Sequence, residues 1–392
     1  MTVNYDAIII GAGLSGAVIA RTLANANKKV LIIERKGEIA GNMFDYKNEH
    51  NIVIHKYGPH IFHTSLENVY DFIMQYGEWI DYKVLCGAMI NGKCTPTPFN
   101  FKTIDDFFDS INAEKIKNAL TNNYPNKKTV SILSLLEHSD PYIKKFADFL
   151  WDNDYSLYTA KQWGLSPDII DKKILKRVPV MLSYEEGYFQ DKYQLLPKNS
   201  YVDFFKNVLN NSNIEIMLDT SALSLLSLDY SSNEILFKGE KFSGNVFWSG
   251  AIDELFAYKY GRLPYRSLTF ELVTENRASY QYYPVVAQPQ DPEITRITEY
   301  SKLPIQGNGQ YTTYAKEYSH DLLESDDLEP YYPVLTDASK KMYSLYESES
   351  VKFKKLHVCG RLGRFKYFNM DQVINDSLEC ADLVLKDIQK NN

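Results

Sequence analysis

Residues 6–34 read DAIIIGAGLSGAVIARTLANANKKVLIIE. Ala7, Ile8, Ile9 and Ile10 form an unbroken apolar run, the pattern of a strand buried on both faces. The run enters Gly11-Ala12-Gly13-Leu14-Ser15-Gly16 and then a segment with Ala17, Ala20, Leu23 and Ala24 on one helical side. Val30, Leu31, Ile32 and Ile33 form a second apolar run that ends at Glu34, 18 residues after Gly16. Gly11 permits the tight turn out of the strand, Gly13 leaves no side chain between the backbone and a pyrophosphate, and Gly16 lets the helix lie close to the sheet. The helix N-terminus offers unpaired N–H groups and a partial positive charge to phosphates, and Glu34 can accept hydrogen bonds from ribose hydroxyls. A GxGxxG alone is weak evidence, since an ordinary glycine-rich turn reads the same. With strand, helix, second strand and terminal acid in register, dinucleotide binding is the expectation.

Composition bounds the rest. The 392 residues are enough for two or three domains, and 44% hydrophobic with 24% charged residues is ordinary for a globular chain. A net charge of −7 argues against nucleic acid as the main partner. No signal peptide is expected, because the N-terminal apolar run is short and broken by glycines, and no stretch approaches the ~18 apolar residues of a membrane span. Cys86, Cys94, Cys359 and Cys380 show no CxxC spacing, so reduced thiols in a cytoplasmic setting are expected. Three of the seven histidines fall within HKYGPHIFHT at 55–64. That spacing is not HExxH and no Cys or Asp cluster accompanies it, so no metal is expected; a loop holding imidazoles beside the cofactor is the better reading.

Taken in order, helical spacing covers 66–76, a hairpin turns at Asn91-Gly92, and 103–176 is mostly helical. Residues 184–196 read as strand-like, 201–209 as an amphipathic helix, and 214–218 and 246–248 as strands returning to the first domain. Alternation marks strands at 266–273, 285–286, 295–299 and 311–318; 356–361 is a short buried strand, and 370–385 a closing helix. The fold class is α/β: a Rossmann-like domain (1–80 with 200–255 and 340–392), an inserted helical domain (100–180) and an antiparallel sheet domain (81–99 with 181–199 and 256–339). A cleft between them would lie over the cofactor.

GAGLSG, HKYGPHIFHT, YTAKQWG, KRVP at 176–179, YRSLTFE, TRITE, AKEYS, EPYYPV and GRLGRFKY follow one another in this order. In these motifs the chain resembles the UDP-galactopyranose mutases over nearly its whole length. The resemblance implies reduced FAD acting as a nucleophile at the anomeric carbon of a nucleotide sugar, with the ring reclosing through its 4-hydroxyl and no net redox change. It also implies a homodimer. By position, it implies FAD contacts from Gly11, Gly13, Leu14, Gly16, Glu34, Arg35, Asn42, His60, Ile61, Phe62, Arg361 and Met370, with His60 and His63 bordering the isoalloxazine. Tyr158, Thr159, Trp163 and Tyr188 would hold base and ribose. Arg177 and Arg296 would clamp the diphosphate, with Tyr332 and Tyr367 as hydroxyl partners. Guanidinium forks suit that task, although the commoner fate of one arginine is a surface ion pair, and that of one tryptophan is core packing.

The chain departs from the family pattern in places. Val84 and Val286 stand where the galactose enzymes have asparagine near the sugar, Asp154 where Phe is usual near the base, Met181 replaces Arg and Asn369 replaces Asp. A one-residue shift would put Ala287, equally apolar, in place of Val286. A valine offers a sugar hydroxyl nothing, and a buried hydroxyl without a partner costs ~1–3 kcal/mol. A 6-deoxy sugar such as dTDP-fucopyranose is therefore the expected substrate, with UDP-galactopyranose the alternative. A flavin oxidoreductase on the same fold and a silent nucleotide-sugar binder are the rival classes. The paired arginines with YTAKQWG speak against the first, and His60, His63, Arg177 and Arg296 together against the second.

Overall fold

The two apolar runs of the opening stretch lie side by side. β1 (Ala7–Ile10) pairs in parallel with β2 (Val30–Ile33), Ala7 opposite Val30 and Ile10 opposite Ile33. Strand Asn245–Trp248 flanks β1 on its other side, Ile214–Met217 flanks β2, and Leu356–Val358 completes a five-stranded parallel sheet. Numbered along the chain, the strands stand in the order 3-2-1-4-5, the doubly wound arrangement with its switch point beside β1. Both faces are covered, which explains the continuous apolar runs. Ile9, Ile32 and Phe247 pack with Ala17, Ala20 and Leu23 of α1 (Leu14–Asn25). Ile8, Ile10, Leu31, Ile33 and Trp248 pack the other way, against Tyr346 and Phe353. The structure is a computed structural model that describes residues 5–166, 178–324 and 328–390.

Between β2 and Ile214–Met217, and again after Trp248, the chain leaves this sheet. The excursions build a seven-stranded sheet in the spatial order Tyr332–Pro333, Tyr265–Glu275, Thr312–Asp321, Ile294–Glu299, Val285–Ala287, Cys86–Ile90, Lys93–Thr97. It is antiparallel except where Val285–Ala287 runs parallel to Cys86–Ile90. Asn91 and Gly92 both take positive φ, as a two-residue hairpin requires. The helical excursion follows. Asn100, Asp109, Ser131 and Asp140 each accept hydrogen bonds from the first-turn N–H groups of the helix they precede. Ile116, Leu120, Ile143, Phe146 and Leu150 form its core together with Ile90 and Phe99 of the hairpin.

Several expectations need correction. Of 184–196, only Tyr193–Pro197 is strand, and it does not join the large sheet. It pairs with Phe62–Thr64 and Trp79–Asp81 in a separate three-stranded sheet, so Tyr193–Pro197 is not a strand of the large sheet. Helix Asp337–Ser350 and the three-stranded sheet of Leu226–Asp229, Glu234–Phe237 and Glu240–Lys241 have no counterpart in the sequence reading. Among the described residues no helix is long and apolar enough to cross a membrane, and the four cysteines are free.

Candidate active site

A cavity of about 550 Å³ opens at the carboxyl ends of the parallel strands, where doubly wound folds bind ligands. Its first end is the glycine turn. Gly11 has φ +98°, and a Cβ there would lie 2.4 Å from Ser249 Oγ; one on Gly16 would lie 1.9 Å from the Gly11 carbonyl oxygen. Gly41 faces Gly13 so closely that its Cβ would stand 2.9 Å from Gly13 Cα. α1 starts with no side-chain cap and no acid in its first turn, so its leading N–H groups are left for a ligand. Glu34 is fixed by the N–H groups of Ala12 (2.7 Å) and Lys36 (2.9 Å) and stands in the cavity wall. A bare backbone cradle, an uncapped helix and a positioned acid fit the pyrophosphate and ribose of a dinucleotide. Leu14, Arg35, Asn42 and Met370 also line the cavity, with Arg35 ion-paired to Glu329.

In the middle of the cavity the two histidines have different partners. The His60 N–H donates to His55 Nδ1 at 3.0 Å, and His60 Nδ1 lies 2.8 Å from the Gly58 carbonyl. A carbonyl only accepts, so Nδ1 carries the proton and Nε2 is an acceptor. Burial pushes His60 down to about 4; the Gly58 carbonyl opposes this, and the Arg361 and Arg296 charges add to it, so the ring is neutral at neutral pH. His63 instead places Nδ1 2.8 Å from Asp191 Oδ2, with its ring stacked on Phe189 at 3.6 Å and 14°. Ser65 Oγ donates to the other oxygen of Asp191. Ile61 and His63 line the cavity, whereas Phe62, between them on an alternating strand, turns away onto the Trp79 ring.

Arg296 is delivered by strand Ile294–Glu299, whose register shifts between Ile294 and Arg296, the kind of bulge that re-aims a side chain. Its Nε donates to Glu317 Oε2 at 2.7 Å, and Glu317 is itself held by Thr295 Oγ1. Burial opposes the guanidinium charge, but Glu317 outweighs it, with Tyr158 and Tyr332 adding, and the group stays ionised. Among the described residues only Nε is engaged, so both Nη atoms remain for a ligand. The Arg361 guanidinium lies 5.0 Å from the Tyr332 ring centroid. Arg177 lies outside the described residues.

The far end is aromatic. Trp163, Tyr332 and Tyr367 form a triangle with centroids 5.2–6.2 Å apart. Tyr158, Thr159, Gln162 and Tyr188 share this part of the chain's cavity wall. Lys161 fixes the helix Ser156–Trp163 against the sheet: its ammonium donates to the carbonyls of Gln288 (2.5 Å), Ile294 (2.8 Å), Pro289 and Asp291. Arg266 holds the end of the same helix through the Gln162 carbonyl at 3.1 Å. One side of the cavity is mostly apolar, formed by Val84, Cys86, Val285 and Ala287, with Thr97 opposite Cys86 as its polar member. Burial pushes the Cys86 thiol up to about 12, so it is no nucleophile.

The cavity therefore gathers Gly11, Gly13, Leu14, Glu34, Arg35, Asn42, His60, Ile61, His63, Val84, Tyr158, Thr159, Trp163, Tyr188, Arg296, Tyr332, Arg361, Tyr367 and Met370. Three expected contacts do not reach it. Gly16 serves helix–sheet packing, Phe62 packs behind the wall, and Val286 faces away, the alternation presenting Val285 and Ala287 instead. Glu317, Asp191, Phe189 and Lys161 were missed. His63 and Asp191 are 128 residues apart and Lys161 and Gln288 127, and Lys161 and Glu317 were visible only as members of YTAKQWG and AKEYS. Among the described residues no group of three or more His, Cys, Asp or Glu is placed to hold a metal ion.

Comparison with known proteins bears on this geometry. The family model for UDP-galactopyranose mutase matches residues 154–367, and that for an NAD(P)-binding Rossmann-like domain matches 9–76. The chain is 33% identical to a UDP-galactopyranose mutase of Mycoplasma genitalium, over 97% of this chain and 95% of the relative. It is 33% identical to a dTDP-fucopyranose mutase of Escherichia coli, over 97% and 98%. A crystal structure of reduced UDP-galactopyranose mutase superposes with a TM-score of 0.72 at 15% identity, covering 98% of this chain and 94% of that one. A putative protoporphyrinogen oxidase from Exiguobacterium sp. 255-15 gives 0.64 at 12%, covering 97% and 98%. At such identities the structural likeness is one of fold.

Proposed function

The chain belongs to the UDP-galactopyranose mutase family, FAD-dependent isomerases that interconvert pyranose and furanose forms of a nucleotide sugar, and on that premise we propose a nucleotide 6-deoxyhexose, of the dTDP-fucopyranose kind, as its substrate. Reduced FAD, when bound, supplies the nucleophile for the anomeric carbon. The chain's own residues supply the rest. The Gly13–Gly41 cradle, the α1 N-terminus and Glu34 hold the cofactor's pyrophosphate and ribose. Arg296, held in place by Glu317, neutralises the diphosphate as the sugar–phosphate bond breaks, and its two Nη atoms suit a phosphate fork. Arg177, by resemblance, is its partner. Tyr332 and Tyr367 donate hydroxyls to the same group. Asp191 holds the His63 ring in place beside the reacting centre, while His60 stays neutral and adds no competing charge.

The observation that carries the substrate reading is the apolar wall. Ala287 stands directly opposite Arg296 across the strand pair, Val285 is level with Cys86 in the parallel pair, and Val84 is buried in the same wall. Val84, Val285 and Ala287 cannot hydrogen-bond a 6-hydroxyl, whereas each can pack a methyl group. Both the fucose and the galactose enzymes match at 33% identity, so the wall rather than the likeness supports the choice. Turnover of dTDP-fucopyranose and UDP-galactopyranose under dithionite tests it. The expected kcat/KM is higher for the fucose substrate; a higher value for UDP-galactose defeats the reading and leaves the family membership intact.

A further inference from the structure

The loop between strands Val285–Ala287 and Ile294–Glu299 folds with its carbonyls turned inward. Residues 288–293 read QPQDPE, and Pro289 and Pro292 have no N–H to give. The N–H groups of Glu293 (2.9 Å) and Ile294 (2.7 Å) both go to Asp291 Oδ1, and those of Gln288 and Asp291 go to the Thr295 and Gln288 carbonyls. The carbonyls of Gln288, Pro289, Asp291 and Ile294 all converge on one atom, the Nζ of half-buried Lys161. An ammonium has three N–H donors, so four carbonyls around it resemble the shell of a bare cation more than a set of single hydrogen bonds. Carbonyl oxygens gathered this way repel one another unless a positive charge stands between them. Burial pulls the Lys161 ammonium below its ordinary value, with Asp291 and Asp154 acting the other way.

This cage joins two parts of the site. Lys161 belongs to Ser156–Trp163, the helix that brings Tyr158, Thr159 and Trp163 to the cavity wall. The loop ends at Ile294, where the register shift that re-aims Arg296 begins, and Ala287, which leads into the loop, faces Arg296 across the strand pair. We propose that Lys161 is a positioning residue: its ammonium is the cation on which the 288–294 loop closes, and through that loop it holds the bulge that aims Arg296. The inference rests on the reading of Arg296 as the diphosphate clamp and adds the group that sets it. Glu317 fixes the guanidinium itself, through Nε, whereas Lys161 fixes the backbone that carries it. The same contact makes the helix and the clamp one unit, so that nucleoside and diphosphate are held together. The outer face of the loop is tied separately and without charge, Gln290 Nε2 donating to Asn91 Oδ1 and Asn153 Oδ1, both at 3.1 Å.

The test is calorimetric titration of the FAD-loaded protein with UDP, which carries the diphosphate and no sugar. Lys161→Ala should bind UDP about tenfold more weakly than wild type. Ammonium chloride should restore most of that loss, because a free ammonium ion can enter the emptied cage. Tetramethylammonium chloride at the same ionic strength, bulky and without an N–H, should not. Wild type, whose cage is filled, should respond to both salts alike. Lys161→Met fills the space of the stem without the charge and should stay weak in either salt. Gln290→Ala cuts only the outer tie and should stay within about twofold of wild type. In an Arg296→Ala background, Lys161→Ala should weaken UDP binding little further, since both act on one contact. Asp291→Ala, on the surface loop, releases the two N–H groups that shape the cage and should weaken UDP binding with the same non-additivity, which keeps the proposal testable if Lys161→Ala does not fold. Wild-type affinity in Lys161→Ala or in Asp291→Ala, an equal response of Lys161→Ala to the two salts, or full additivity with Arg296→Ala would overturn the proposal. An Arg296→Ala variant that binds UDP as wild type does would remove the clamp itself. Failure of that reading thus shows in the single variant, and failure of this one in the salts and the double variants.

Discussion

The two ends of the cavity are built in opposite ways. The glycine-turn end comes mainly from one contiguous stretch of chain, and its contacts are backbone: bare glycines, uncapped N–H groups and one acid held by main-chain donors. The middle and the far end are assembled from side chains of separate segments, His63 and Asp191 being 128 residues apart and Lys161 and Gln288 127. There Arg296 depends on Glu317, His63 on Asp191, and the Ser156–Trp163 helix on carbonyls of residues 288–294. A backbone site has little freedom to vary and commits the chain to a dinucleotide. A side-chain site can be retuned one residue at a time, and Val84, Asp154 and Asn369 are among the side chains that line it.

The largest expected effect lies at the first end. Gly16→Val would force a side chain into the Gly11 carbonyl, where even a Cβ would stand 1.9 Å away. Helix and strand must then separate, at a cost of roughly 3 kcal/mol or more. The protein should purify without yellow colour and melt lower; a normally melting, fully yellow variant would show that the turn tolerates a side chain.

The next effect lies at the second end. Arg296→Ala removes a charge-assisted contact that strengthens as the diphosphate departs, and should cut kcat by about 10²- to 10³-fold. FAD absorbance should be unchanged, because the first end is untouched. Lost flavin in this variant would erase the distinction between the ends.

The same difference explains what could be read from the sequence. The opening stretch was legible because strand, turn, helix and acid are contiguous and each glycine has a local steric reason. The large sheet was legible from alternation, but face assignment was not secure. In strands of three residues one step of register decides everything, and so Phe62 and Val286 were placed toward the cavity when Ile61, His63, Val285 and Ala287 hold that face. Strand Tyr193–Pro197 pairs with partners more than a hundred residues earlier, a choice that no local pattern encodes. Helix Asp337–Ser350 is polar over most of its length, and its few buried residues include Ser339 and Glu349, so its apolar periodicity is faint. The Asp191–His63 pair has no spacing signal at all.

The smallest and most decisive effect concerns one hydroxyl. The measurement is kcat/KM for UDP-galactopyranose against its 6-deoxy counterpart on the same uridine diphosphate, with the flavin reduced. Holding the base fixed leaves Val84, Val285 and Ala287 as the discriminating surface. An unpartnered buried hydroxyl costs ~1–3 kcal/mol, so the 6-deoxy sugar should be preferred by about 5- to 150-fold. Equal efficiencies, or a preference for the 6-hydroxyl, would contradict the account.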